Sequence, residues 1–350
     1  VSGPTFLKMI IFSVPVILSG ILQLLFNACD IIVVGNFAGD ASLAAVGSTS
    51  SLINLFTNLF IGLSVGSNVL IAHFVGSNDK SKVSLTVHTS IVLAIICGVF
   101  LSVAGFIFAN PILKLMGSPD DVIMLATLYL KIYFLGMPAL LIYNFGAAIL
   151  RAVGNTKHPL YFLTISGVLN ILLNLLLVIC FSMGVAGVAI ATVVSEYLSA
   201  ALIIWYLSEK SEELKLTRSD LKIDPYILKR VIAIGIPAGL QGTIFSLSNV
   251  VIQSAINSFG SDVVAGNSAT MNIEGFVYMA MNAIYQTAIT FVGQNYGAGK
   301  KKRVLRCTLQ AEAIVVIVGL FFGVSAYIFS TELLHIYSGS PAVVEAGKIR

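Results

Sequence analysis

The chain has 350 residues, of which 57% are hydrophobic and only 10% charged, with a formal net charge of +4. A soluble domain carries roughly 25% charged residues, so this composition excludes a soluble enzyme or nucleic-acid-binding module, and the small basic excess is a topology signal. Without water in a bilayer core, apolar runs of about 20 residues must satisfy their backbone as helices, and the short alternating segments of a β-barrel do not occur.

Nine apolar spans are read in chain order, over residues 6–36, 43–75, 83–109, 120–146, 159–181, 186–207, 227–257, 263–294 and 304–329, and a tenth begins near Val343. Several are long enough to require tilt or kinks. In the first, Pro15 is expected to bend the helix, and Gln23, Asn27 and Asp30 stand at i, i+4 and i+7, one polar stripe among Leu, Ile, Val and Phe. An acid at the bilayer centre costs roughly 2.5–3.5 kcal/mol on the insertion scale, so it normally faces a cavity or a partner. Lys131, near one end of the fourth span, can snorkel and is assigned no role. Ser166, Asn170 and Asn174 line one face of the fifth span, and Thr192, Ser195, Glu196 and Ser199 one face of the sixth. Facing Asp30, these oxygens and amides would stabilise a bound cation or a protonated carboxyl; as plain interhelical hydrogen bonds they would contribute about 0.6 kcal/mol each. Glu196 is a second acid that either partners this site, lines a cavity or pairs elsewhere. After Pro237 in the seventh span, the eighth carries Asn267, Thr270, Met271, Glu274 and Tyr278 along one face, suited to an organic cation or to packing.

The hydrophilic stretch 208–226 divides the chain into a six-helix lobe, 1–207, and the first half of a second lobe, 227–350. Lys8, Lys80, Lys82, Arg151, Lys157, the basic residues from Lys210 to Arg230 and those from Lys300 to Arg306 all fall on one side of the spans, against Lys114 alone on the other. The positive-inside rule makes the basic side, the N-terminus and the 208–226 linker cytoplasmic. The two parts also repeat. At an offset of 222 residues Pro15 answers Pro237, Gly20 answers Gly242, Asn27 answers Asn249, Phe37 answers Phe259 and Asp40 answers Asp262, and Gly117-Ser118-Pro119 answers Gly339-Ser340-Pro341, while Asp30 meets Ile252. A six-helix repeat keeps its orientation, so a pseudo-twofold along the membrane normal is expected, as in one class of secondary transporter. The second copy stops three helices short, so the sequence reads as part of a twelve-helix, all-α polytopic membrane protein.

Other chemistry is excluded. Cys29, Cys97, Cys180 and Cys307 have neither metal nor redox spacing and read as small core residues. His73, His88, His158 and His335 are dispersed, without zinc spacing. Gly62-Leu63-Ser64-Val65-Gly66 matches a nucleophile elbow only in letters, since it lies mid-helix. Gly297-Ala298-Gly299-Lys300-Lys301 lacks phosphate-loop spacing. No cofactor or resident metal is implied, and without an ATP-hydrolysing motif any transport must draw on an ion gradient.

Several stretches together carry a family resemblance: LLFNACDIIVVGNFAG in the first span, FVGSN with its second form FVGQNYGAG (Phe291 to Gly299), ILRAVGNTKHP (Ile149 to Pro159), LNILLNLLLV (Leu169 to Val178) and MGVAGVAIATVVSE (Met183 to Glu196). In this order, with the repeat, they resemble the multidrug and toxic compound extrusion (MATE) transporters over the whole chain. The resemblance implies two six-helix lobes, a central cavity and exchange of a small organic, often cationic, compound for H+ or Na+, by a protein expected to act as a monomer in the cell membrane. It implies an ion site at Asp30, Asn170, Asn174 and Thr192, where Asn174 replaces a second carboxylate and leaves one anion instead of two. The acid that another branch of the family places in the seventh helix is absent here. Two rivals are a lipid-linked oligosaccharide flippase, which calls for a more basic cavity, and an intramembrane protease, which calls for paired aspartates or a Ser/His pair.

Overall fold

A computed structural model describes residues 3–116, 120–210, 214–256, 259, 261–336 and 340–349. Of the repeat pairs, Gly117-Ser118-Pro119 and Gly339 lie outside the described residues. The chain is helical nearly throughout: α1 (Thr5–Phe37), α2 (Asp40–Gly76), α3 (Lys80–Leu115), α4 (Asp120–Leu135), α5 (Met137–Ala152), α6 (Lys157–Asn174), α7 (Gly184–Trp205), α8 (Pro225–Ile256), α9 (Ser261–Gly297), α10 (Lys301–Ile328), α11 (Ser330–His335) and α12 (Pro341–Ile349). Wide π turns extend α6 over Leu175–Cys180 and α7 over Tyr206–Lys210.

Among the described residues, α1, α2, α3, α6, α7, α8 and α10 are long and apolar enough to cross a membrane. Their outward faces are apolar, as with Phe100 and Ile107 on α3 and Leu320 and Phe321 on α10, all exposed, which suits a hydrocarbon solvent with no water to compete. The span read over 120–146 is built of two helices, α4 and α5, which together are long and apolar enough to cross but are bent by 46° at the break. The cause is local. Pro138 has no N–H to continue the ladder, and the Gly136 N–H turns back to Tyr133 O at 2.9 Å. The Tyr197 hydroxyl on α7 donates to the Leu135 carbonyl at 3.0 Å, satisfying an acceptor at the break. The eighth apolar span of the sequence is a 37-residue helix, α9, but it is not among the helices apolar enough to cross. Its Asn267, Asn272, Glu274, Asn282, Gln286, Gln294 and Asn295 lower its hydropathy. Pro15 and Pro237 both lie inside unbroken helices.

The helices α2 to α7 and the end of α1, through Val33 and Val34, share one continuous buried core, extended by Ile227 and Val231 of α8. The α1–α9–α10 contact holds smaller clusters around Met9, Ile284 and Cys307 and around Phe12, Val16 and Ala283. Asp79 caps α3, accepting from the Lys82 N–H at 3.1 Å and pairing with Lys82 Nζ at 2.9 Å; these Lys82 bonds hold its carboxyl below the usual range. Residues 214–224, leading into α8, are pinned to α3. Thr217 N–H donates to His88 Nε2 at 3.1 Å, Asp224 N–H donates to Thr89 Oγ1 at 3.1 Å, and Leu214 and Leu216 are buried.

Candidate functional site

Three helices converge on Asp30. It lies seven residues before the end of α1, and its carboxyl faces α6 and α7. The approach of α1 to α6 depends on Gly167, where a Cβ would come within 1.9 Å of the Phe26 ring, one turn before Asp30. That contact seats Asp30 opposite Asn170 and Asn174, and Thr192 enters from α7.

The four side chains close a ring of hydrogen bonds. Asn174 Nδ2 donates to Asp30 Oδ1 at 2.5 Å and lies 3.2 Å from Asn170 Oδ1. Asn170 Nδ2 donates to Thr192 Oγ1 at 3.4 Å, and the Thr192 hydroxyl lies 3.4 Å from Asp30 Oδ2 and 3.0 Å from its own helix's Val188 carbonyl. Asp30 is 9% exposed, Asn170 6% and Asn174 0%. A carboxylate so enclosed has both oxygens facing donors, the arrangement in which a buried polar group is tolerated. One atom breaks the balance: Asn174 Oδ1 is buried and has no hydrogen-bond partner. An unmatched acceptor beside a carboxyl fits a group that brings positive charge or a proton, and a bare proton on Asp30 or a small monovalent cation would each meet it.

Asn174 is also the last residue of α6, and the π turn begins at Leu175. Wide turns inside membrane helices recur at functional positions because they re-aim the side chains that follow. No residue-type signal announces this turn within the apolar run LLLVIC.

The other sequence candidates stand apart from the ring. Gln23 and Asn27 are exposed, so the polar stripe of α1 divides, with Asp30 turned inward alone. Glu274 and Tyr278 lie on α9, outside the ring's helices, and both are exposed; Tyr278 stacks on Phe245 of α8, ring centroids 5.7 Å apart and planes 9° from parallel. Glu196 sits one turn beyond Thr192 on α7. Two residues that sequence reading passed over lie on α4, which packs against α7: Tyr129 and Tyr133, with rings 5.9 Å apart. Their i, i+4 spacing within an apolar span was the available signal.

Among the described residues no group of His, Cys, Asp and Glu is arranged to hold a metal ion. Apolar helices around an enclosed carboxylate define a polytopic membrane protein with an intramembrane polar site. The family follows from the sequence itself. A family model described as MatE matches residues 15–176 and 237–349, and the chain belongs to that family, as its motifs indicated. It is 30% identical over 337 residues to the probable multidrug resistance protein YoeA of Bacillus subtilis, covering 94% of this chain and 73% of the relative. It is 27% identical over 355 residues to the probable multidrug resistance protein YpnP of the same organism, covering 99% of this chain and 77% of that one. Its fold matches that of a MOP superfamily transporter from Pyrococcus furiosus with a TM-score of 0.92 at 24% identity, over 99% of this chain and 77% of the other.

Proposed function

We propose that this chain belongs to a secondary antiporter that exports small organic, often cationic, drug-like compounds in exchange for H+ or Na+. The observation that carries the reading is the closed ring at Asp30, with an unmatched Asn174 oxygen, inside the helical bundle. An acid placed there at the cost of membrane burial is best explained by a positive species that comes and goes. The relatives named as multidrug resistance proteins support export of a drug-like compound, and nothing in the ring's chemistry favours the flippase.

In this reading, residues 1–207 form an ion-handling lobe, 208–226 a cytoplasmic connector and 227–350 part of the opposing lobe, in a monomer in the cell membrane with its N-terminus cytoplasmic. Loading of the ring from outside replaces the Asn174 and Thr192 contacts to Asp30. That frees α1, whose packing against α6 is set by Phe26 and Gly167, to shift between two arrangements. The membrane potential supplies about 2.3 kcal/mol per charge for each 100 mV. The ring supplies one anion, so Na+ would have to be held by one carboxylate, two amides and a hydroxyl, whereas a proton needs Asp30 alone.

Ethidium efflux from vesicles, with proton and sodium gradients imposed separately, tests this. Efflux driven by either ion, lost in Asp30→Asn while the protein still inserts, supports the reading. Efflux unchanged in Asp30→Asn overturns it. Dependence on protons alone assigns Asp30 as proton carrier, and a sodium requirement assigns the neutral oxygens of Asn170, Asn174 and Thr192 to the ion.

A further inference from the structure

Glu196 is the other acid of these packed helices, and the ring at Asp30 does not use it. Its Oε2 is buried without a hydrogen-bond partner. Among the described residues no basic side chain pairs with it. The carboxyl instead presses on backbone. A Cβ added at Gly136 would lie 2.3 Å from Glu196 Oε2, and Gly136 is the residue at which α4 and α5 break. The next residue, Tyr197, donates its hydroxyl to Leu135 O on the same break. Consecutive side chains of α7 thus clasp the bend, one by a satisfied hydrogen bond and the other by an unmatched carboxyl oxygen.

A carboxylate in that position would have one oxygen buried without a donor, a costly arrangement, whereas a carboxylic acid is neutral and carries its own donor. The titratable groups on the elements packed around it are Asp30 from α1, bonded to Thr192 one turn before Glu196, and Tyr129 and Tyr133 from α4, which packs on α7. Both tyrosines are neutral near pH 7 by their ordinary chemistry, so Asp30 is the partner whose charge matters. Two carboxyls that feel one another titrate as a pair, and the state of one sets the readiness of the other.

We propose that Glu196 is a second proton-binding carboxyl of this transporter, seated on the α4–α5 break and coupled to Asp30. A proton from the aqueous phase bonds to Glu196 Oε2, the seat on Gly136 is then neutral, and α7 stays packed on the break. Its departure leaves an anion whose buried oxygen has no donor, so the clasp loosens at the helix that also carries Thr192. The Asp30 ring and the α4–α5 bend become parts of one titrating unit. This rests on the reading of Asp30 as the coupling acid, but it is tested on a separate signal.

The test is infrared difference spectroscopy of the full chain reconstituted in lipid, following protonated-carboxyl C=O bands as pH is stepped, for the parent, Glu196→Gln, Glu196→Asp and Asp30→Asn. The expected result is loss of one titrating band in Glu196→Gln, its return at a shifted frequency in Glu196→Asp, and loss of a different band in Asp30→Asn with a displaced pH midpoint for the band that remains. In vesicles, Glu196→Gln should alter the pH profile of exchange and Glu196→Asp should restore its shape. Bands and pH profile in Glu196→Gln identical to the parent overturn the proposal. Unchanged exchange in Asp30→Asn would instead overturn the antiport reading, while the Glu196 band would still decide whether that carboxyl binds a proton.

Discussion

α1 and α8 stand 222 residues apart in the repeat, yet they have been put to different uses. Both run unbroken through a proline at the same place, Pro15 and Pro237. Near the other end α1 turns Asp30 into a ring of donors, whereas α8 presents Ile252, 51% exposed. The helices they pack against differ in the same way. α8 lies directly on the backbone of α2, because Gly62 meets Gly239 and Gly66 meets Val231 O and Gly235; a Cβ at Gly62 would stand 2.2 Å from Gly239 Cα, and one at Gly66 2.4 Å from Val231 O. The repeat-equivalent pair is α1 on α9, where Ser13, Ile17, Ile284 and Ala288 occupy the corresponding positions. There the contact runs through side chains, with Met9 buried beside Ile284, Phe12 edge-on to Phe291 at 5.5 Å and Gly20 facing Met279. One seam of small residues brings backbones together, as is usual where membrane helices must associate without a hydrophobic driving force. The other is looser, and its helix α1 is the one that carries the acid.

The first way to break this comparison is to move the acid. Asp30→Asn should abolish gradient-driven efflux, and adding Ile252→Asp should not recover any of it, because α8 offers no Asn170, Asn174 or Thr192 to enclose a carboxylate. The introduced acid should cost at most the roughly 2.5–3.5 kcal/mol of a mid-bilayer charge. Recovery of efflux in the double variant would show that the halves are interchangeable. A smaller effect is expected from giving the tight seam the residues of the loose one. Gly239→Ile copies Ile17 and drives a side chain toward Leu59 O, 2.3 Å from the Cβ position. It should destabilise the protein by about 1–3 kcal/mol, the range for overpacking, read as a lowered unfolding temperature in detergent. Ile17→Gly, the reverse exchange, should cost less than Gly239→Ile.

Much of this was readable from residue pattern. Long apolar runs placed the helices, and the spacing of Asn170, Asn174 and Thr192, joined to the MATE resemblance, named the three side chains that meet Asp30. The break at Gly136 was not read, because one Pro in an apolar run is compatible with either a kinked or a broken helix, and Tyr197, which satisfies the Leu135 carbonyl freed there, lies on another helix. The π turn after Asn174 has no composition signature at all. Gly62 and Gly66 were noticed only as a false nucleophile elbow. Their use, close approach to Gly235 and Gly239, depends on which helix lies opposite, and nothing local in sequence specifies that. Gln23 and Asn27 show the converse limit: helical spacing put them on Asp30's stripe, but a stripe is wider than the contact that buries it.

The mildest change concerns the contact that joins the two seams. Asn68 on α2 and Thr290 on α9 are themselves repeat-equivalents, 222 residues apart, and the Thr290 hydroxyl donates to Asn68 Oδ1 at 3.2 Å with both residues buried. Two turns further along, the backbones close up: a Cβ at Gly76 would lie 1.9 Å from Gln294 O, and one at Gly297 1.9 Å from His73 O. The hydrogen bond is therefore one interaction on a surface already fixed by backbone contact. Thr290→Val keeps the shape and removes the donor, leaving Asn68 Oδ1 unmatched. The expected loss is about 0.6 kcal/mol, the average for such bonds between membrane helices, with efflux retained. Should Thr290→Val lower stability by several times that amount or stop transport, the Asn68–Thr290 bond would have to be the latch between the halves, and the glycine contacts beside it would follow from it instead of fixing it.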